Sequence, residues 1–211
     1  DAWMGGTIYV RNLIYALAGL EPAERPLVRL IGWEHARASL VDELAGFDFV
    51  ERPAMGARGS SLVGRVVRRV YRGISGKPAR SLYDGVDVVF PALHTAQAEN
   101  VRPLFWIPDF QHEHMPEFFS EEELAARRGK DAAIAAAGGH LVLSSRMALA
   151  DFQRLYPAAR TVPHVWSFCS TMTAHERGGG DPHDVYGVPR KYLYIPNQFW
   201  AHKNHETVFR A

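Results

Sequence analysis

Phe105-Trp106-Ile107-Pro108-Asp109-Phe110-Gln111-His112-Glu113-His114-Met115-Pro116-Glu117-Phe118-Phe119 joins an apolar run to a loop dense in titratable side chains. Leu104 to Ile107 reads as the end of a buried strand, and Pro108, which has no N–H to donate, stops the ladder. In open α/β sheets ligands bind in the crevice beyond the carboxyl ends of the strands. Asp109, His112, Glu113 and His114 therefore emerge where chemistry is favoured.

Outward from this loop, strand and helix signals alternate. Towards the N-terminus, Val86 to Phe90 reads as a strand closed by Pro91, Phe47 to Val50 as a strand, Ser39 to Leu44 as a short helix and Pro26 to Trp33 as a buried strand. Gly5-Gly6 reads as a tight loop, with Thr7 capping a helix whose Val10, Leu13, Ile14 and Leu17 recur at helical spacing until Gly19. Towards the C-terminus, Ser120 with Glu123 makes a capping box that opens an Ala-rich helix running to about Ala137 and ending at Gly138-Gly139. His140 to Leu143 is a strand, Ser144 or Ser145 caps a helix from Arg146 to Leu155, and Thr161 to Val165 is the next strand. Ser144-Ser145 lacks a G-x-S-x-G elbow, so these serines read as caps rather than nucleophiles.

This β–α rhythm predicts a doubly wound, mainly parallel sheet with helices on both faces. From Ser167 to Arg190, Gly178-Gly179-Gly180 and scattered prolines read as a linker. Beyond it, Tyr192 to Ile195 reads as a new strand leading into a helix near Lys203. The division expected is an N-terminal domain over 1–166 whose first strand precedes Asp1, a linker over 167–190, and over 191–211 the first βα unit of a second domain. A start at Asp1 and a stop at Ala211 inside a helical pattern suggest a fragment.

Composition narrows the classes. The chain has 211 residues, 47% hydrophobic and 22% charged, as expected for a globular protein with a substantial core. A net charge of +1 gives no general case for nucleic-acid binding. Cys169 is the sole cysteine, which excludes an internal disulfide and points to a reducing cytoplasm. No apolar run approaches the roughly 20 residues that span a bilayer.

Four blocks together carry a family resemblance: Gly5-Gly6 opening a helix, IPDFQHEHMPEFFSEEE at 107–123, LSSRMALADFQRLYP at 143–157 and IPNQFWAHKNHETVFRA at 195–211. The chain resembles a bacterial family-four retaining glycosyltransferase of GT-B fold, and the resemblance spans nearly its whole length. It implies two Rossmann-like domains, an acceptor-side domain followed by a nucleotide-sugar domain, here present mostly as the first. It also implies transfer of a hexosyl group from a nucleotide diphosphate sugar to a glycan or lipid-linked glycan, in polysaccharide synthesis, with no further cofactor and no nucleic acid. The family's pair of glutamates, seven residues apart, would fall beyond Ala211, so residues 1–211 alone should be inactive. This chain has Gln198 where relatives commonly carry arginine, and Pro108 where many carry histidine.

The candidate site residues follow from the residue types and from this resemblance. A helix starting at Gly5-Gly6 offers unpaired N–H groups and a positive dipole end, and the absent Cβ atoms let a diphosphate approach. Lys203 adds a mobile charge for the departing phosphate, and the resemblance puts Asn197 and His202 beside the donor. Asp109 and His112 are the candidates to orient or deprotonate the acceptor hydroxyl, since histidine titrates near neutrality and a carboxylate serves better as an orienter. Glu113 and His114 read as structural or acceptor-facing.

Two alternatives stand beside this reading. His112 and His114, alternating on an extended segment, would face the same way and could join Asp109 or Glu117 in a metal site, giving a metal-dependent hydrolase. A non-catalytic sugar- or nucleotide-binding module on the same sheet is the other. Separately, Arg58 to Arg80 holds seven basic residues and no acidic one. On a helical wheel Arg65, Arg68, Arg69 and Arg72 oppose a valine-rich face, the pattern of a helix lying on an anionic membrane, at the inner face of the cell membrane, or near a lipid-linked acceptor.

Overall fold

The structure is a computed structural model that describes residues 4–31, 38–51, 83, 85–95, 101–170 and 180–211. The chain divides into two compact units, one of residues 1–89 and 98–102, the other of residues 90–97 and 103–211. In the first unit, helix α1 (Met4–Ala18) and helix α2 (Ala38–Leu44) accompany a small parallel sheet of β1 (Val28–Arg29) and β2 (Val50–Glu51). Ile14, Leu30, Leu44, Phe49 and Val50 form its core. Arg11 and the Tyr15 hydroxyl both donate to Glu43 Oε1 at 2.7 Å, which ties α1 to α2.

Gly5 and Gly6 lie inside α1 rather than in a loop before it, and Thr7, being within the helix, is not its cap. Two glycines do not prevent helix where the first-turn N–H groups need no intrahelical partner. Gly19 does follow the last helical residue and donates to Ala16 O at 3.1 Å. The basic segment with Arg65, Arg68, Arg69 and Arg72 lies outside the described residues, as do residues 32 and 33 of the predicted first strand.

The main sheet has the order β3 (Val88–Ala92), β4 (Arg102–Ile107), β5 (His140–Leu143), β6 (Val162–Val165). Parallel pairing sets Leu104 opposite His140 and Ile107 opposite Leu143, then His140 opposite Val162 and Leu143 opposite Val165. The chain is thus a mixed α/β protein with parallel sheets, of the Rossmann-like kind. A parallel ladder needs cover on both faces, which is why LFWI and HLVL are near-continuous apolar runs. Phe105, Trp106, Ile107, Leu141, Val142 and Leu143 are all buried, each worth roughly 1.5–3 kcal/mol for a large apolar side chain. Strand β3 continues through Pro91 instead of closing at it. Its place at the end of the sheet order explains the tolerance, since an edge strand can leave an N–H position unpaired.

Helix α3 (Gln111–His114) is a single turn directly after β4, followed by a 3-10 turn at Pro116–Phe118. Helix α4 (Glu121–Ala137) begins with the predicted capping box, Ser120 accepting from the Glu123 N–H while the Glu123 side chain takes the Ser120 N–H. Three glutamates in its first turn suit the positive dipole end. Gly138 and Gly139 then turn the chain at φ 81° and 83°, conformations open to glycine at no steric cost. Thr161 Oγ1 donates to Ile134 O at 2.6 Å and accepts the Gly138 N–H at 3.0 Å, while the Arg160 and Thr161 N–H groups both reach Ala135 O. Two of the last carbonyls of α4, those of Ile134 and Ala135, are thus satisfied by the entry to β6.

Helix α5 (Arg146–Leu155) is capped by Ser145, whose side chain accepts from the Ala148 N–H. Ser144 is buried and accepts the Trp106 indole N–H at 3.0 Å, stitching β4 to the end of β5. Within the predicted linker, helix α6 (Pro182–Tyr186) has Asp181 as cap and Gly187 at φ 66° as its stop. The predicted strand Tyr192–Ile195 is not formed: these residues are irregular, with Leu193 86% and Tyr194 78% exposed. Strands need a neighbour's N–H and C=O groups, and no described residue supplies them here. A 3-10 turn at Ala201–Lys203 and helix α7 (His205–Arg210) close the chain.

These contacts rank two serines differently. Ser144→Ala leaves a buried indole N–H without an acceptor and should cost about 1–3 kcal/mol, whereas Ser120→Ala removes an exposed cap and should cost about 1 kcal/mol. Urea unfolding of both variants checks the ranking, and a larger loss at Ser120 would contradict the assignment.

Candidate functional site

The loop after β4 leaves the sheet at its carboxyl edge and is fastened to the two helices that follow. Asp109 is exposed, and its Oδ1 accepts the Gln111 N–H at 3.1 Å, so the carboxylate starts the α3 turn. Phe110 is 1% exposed and packs near Tyr156 and His112. His112 is 2% exposed, ringed by Phe110 and Phe119. Its Nε2 stands 3.5 Å from Asp131 Oδ2 on α4 and 3.6 Å from Glu113 Oε1, longer than hydrogen bonds.

Residues two apart on a helix point about 200° from one another. His114 accordingly turns away from His112 and meets Asp151 on α5, Nε2 to Oδ2 at 2.7 Å. Glu113, between them, receives two bonds from Arg128, at 2.7 and 3.1 Å. The extended geometry that would have aimed both histidines at one metal is not present. Among the described residues no group of three or more His, Cys, Asp or Glu side chains is arranged to hold a metal ion.

The two partner aspartates were not among the residues singled out from the sequence. Asp131 shares the inward face of α4 with Ile134 and Ala135, and Asp151 shares that of α5 with Ala148 and Phe152. An acidic residue at an apolar-stripe position in each helix was the available signal. Burying a carboxylate requires a partner: Asp151 has His114 at 2.7 Å, whereas Asp131 has, among the described residues, only His112 Nε2 and Lys130 Nζ, each at 3.5 Å.

Electrostatics separate these groups. Burial pushes the Asp131 carboxyl up to about 6, with Lys130 opposing. Burial holds the His112 imidazole below its ordinary value, the nearby Glu113 charge opposing. Tyr156 is pushed up to about 12 by burial, assisted by the Asp131 and Glu113 charges. The hydrogen bond from Arg128 keeps Glu113 below the usual carboxylate range. For Asp151, burial acts upward, but the bonds from His114 and Arg154 outweigh it and the group stays low.

The remaining sequence candidates fall elsewhere. Lys203 is exposed at the end of its 3-10 turn, and Asn197 is exposed in the irregular segment before it. His202 is half-buried, its ring 6.0 Å from that of Phe118. The turn bearing Lys203 therefore touches the loop that begins at Asp109. Gln198 accepts the Trp200 indole N–H at 2.8 Å. Gly5 is exposed and Gly6 buried in α1, and a Cβ added at Gly5 would meet nothing within 4 Å. His140 pairs with His164 at 2.9 Å and Ser144 with Trp106, so His140 of β5 and the Ser144 that follows the strand do not form a catalytic pair.

Compared with protein-family models, with curated proteins and with solved structures, the chain matches none of them. Among the described residues no helix is long and apolar enough to cross a membrane.

The buried aspartate gives a pH-dependent prediction. A carboxyl raised from 3.8 to about 6 contributes stability that is fully present below its unfolded value and is lost as pH rises through about 6. His112, held low, contributes in the opposite sense: its share is present above the ordinary imidazole value and lost as pH falls. Asp131→Asn should therefore raise unfolding free energy at pH 7.5 by up to about 3 kcal/mol, with the gain vanishing near pH 4. Urea titrations at the two pH values test this, and equal effects at both would contradict it.

Proposed function

We propose that this chain is the acceptor-side part of a retaining glycosyltransferase of GT-B fold, which moves a hexosyl group from a nucleotide diphosphate sugar to a hydroxyl of a glycan or lipid-linked glycan. The parallel sheet with its polar loop at the carboxyl edge supports this reading. The observation that carries it is the contact between Phe118 and His202, which sets the loop of Asp109 against the turn of Lys203. An acceptor-orienting carboxylate and a phosphate-neutralising cation are the two charges such a transfer needs on neighbouring segments.

In this reading Asp109, the surface carboxylate, binds the acceptor hydroxyl. His112 anchors the loop from inside, because a buried imidazole beside Asp131 cannot reach a substrate. The acceptor oxygen bonds to the anomeric carbon as the bond from that carbon to the diphosphate oxygen breaks. That oxygen takes the electron pair and then the hydroxyl proton, on the same face of the sugar. Lys203 stabilises the growing phosphate charge, with Asn197 and His202 beside the donor. Gly5 and Gly6, in the first turn of α1, are the proposed diphosphate contact. Arg65, Arg68, Arg69 and Arg72 are assigned to an anionic membrane surface or a lipid-linked acceptor, on the cytoplasmic side.

The polypeptide of the complete reading frame should release nucleoside diphosphate from at least one of UDP-glucose, UDP-galactose and GDP-mannose when a lipid-linked or glycan acceptor fraction is supplied. Lys203→Ala should lower kcat by roughly 10²–10³-fold with little change in acceptor KM. Near-normal turnover of that variant at saturating donor would remove Lys203 from the site, and no release from any donor by the parent would remove the reading.

A further inference from the structure

His114 is the one imidazole of the loop that combines solvent access with a fixed partner. Its side chain is 49% exposed, while Asp151, its partner at 2.7 Å, is 9% exposed. Asp151 is itself held by Arg154, whose Nη2 donates to Oδ1 at 3.0 Å. The carboxyl of Asp151 stays below the usual range, so at neutral pH it is ionised and accepts only. The proton in the 2.7 Å contact must then reside on His114 Nε2.

For the neutral ring that requirement fixes the tautomer. In the neutral imidazole Nδ1 carries the lone pair, and among the described residues it forms no hydrogen bond. An acceptor atom is thus carried on a half-exposed ring that cannot turn without breaking its bond to Asp151. The loop around it is equally fixed, since Glu113 is clamped by Arg128 one residue earlier and His112 is buried two residues earlier. Four residues later, Phe118 meets His202, beside Lys203.

We infer that His114, oriented by Asp151, is a substrate-binding residue whose Nδ1 accepts a hydrogen bond from a hydroxyl of the acceptor sugar, with Asp151 as its positioning residue. This rests on the glycosyltransferase reading. Asp109 and His114 then engage different hydroxyls, one by a carboxylate and one by a ring nitrogen. A polyhydroxyl ligand suits such a pair, because each hydroxyl needs an acceptor and neither group adds a donor that would compete.

Two measurements test this and fail separately from the reading beneath it. Long-range ¹H–¹⁵N spectra of the 211-residue chain at pH 8 should show His114 as the Nε2–H tautomer, and Asp151→Ala should let both tautomers appear. An Nδ1–H tautomer in the unaltered chain would overturn the inference whatever the enzyme does. In the complete reading frame, His114→Ala should reduce kcat/KM for acceptor roughly tenfold or more with donor KM unchanged. His114→Asn should recover part of the loss, since its amide oxygen falls near Nδ1. Unaltered acceptor kinetics in His114→Ala, with transfer intact, would overturn the role of His114 alone. Absence of transfer in the parent would overturn the role together with the reading, leaving the tautomer as a purely structural fact.

Discussion

The parallel pairing of β4 with β5 is the constraint from which the rest of the second unit follows. Leu104 to Ile107 against His140 to Leu143 sets six large apolar side chains under complete cover. A parallel ladder cannot be closed by a hairpin, so the chain must travel the length of the sheet between the two strands. That return is α4, and its start has to wait until the loop 108–119 has cleared the edge of the sheet. The loop is therefore long, polar and at the carboxyl edge for a topological reason before any functional one. Its Trp106 end is locked to Ser144, so the edge at which the loop departs is a rigid one.

A polar loop of this length would be loose if nothing held it. The molecule holds it by sending consecutive side chains of α3 to α4 and α5 in turn: His112 to Asp131, Glu113 to Arg128, His114 to Asp151. The three contacts differ in character. The exposed Arg128 bond is screened by solvent and adds little stability by itself. The buried His112 and Asp131 pair is costly in charged form, which is why both groups are driven towards neutrality. His114 with Asp151 lies between these cases, a buried carboxylate serving a solvent-facing ring. Asp109, two residues before α3, is left at the surface.

Local signals made much of this legible in the sequence. Ser120 with Glu123 marks the start of α4, and Gly138-Gly139 its end, because capping and left-handed turns depend on only a few adjacent residues. Ser145 and Tyr156 bound α5 for the same reason, and strand β5 lies between Gly138-Gly139 and Ser145. What failed depended on distant partners. Tyr192 to Ile195 has the composition of a strand but lacks a neighbour among the described residues. Pro91 carries the local signal of a strand end, yet an edge position accommodates it within β3. His112 and His114 share a face only where the chain is extended; one turn of helix sends them apart. Asp131 and Asp151 gain their meaning only from the histidines that reach them, across sequence separations that no spacing rule covers. The family resemblance lends roles to Gly5, Gly6 and Lys203; of these Gly5 and Lys203 are exposed and Gly6 is buried within α1.

In the proposed function the labour is divided within four residues: the surface carboxylate Asp109 serves the acceptor and the buried His112 serves the fold. The turnover of Asp109→Asn in the complete reading frame, measured on protein whose thermal midpoint is also recorded, tests it most directly. Transfer should be lost at an unchanged midpoint, since the asparagine side chain keeps the turn contact to Gln111 while losing the charge. Near-normal transfer by Asp109→Asn would contradict it and remove Asp109 from the acceptor site.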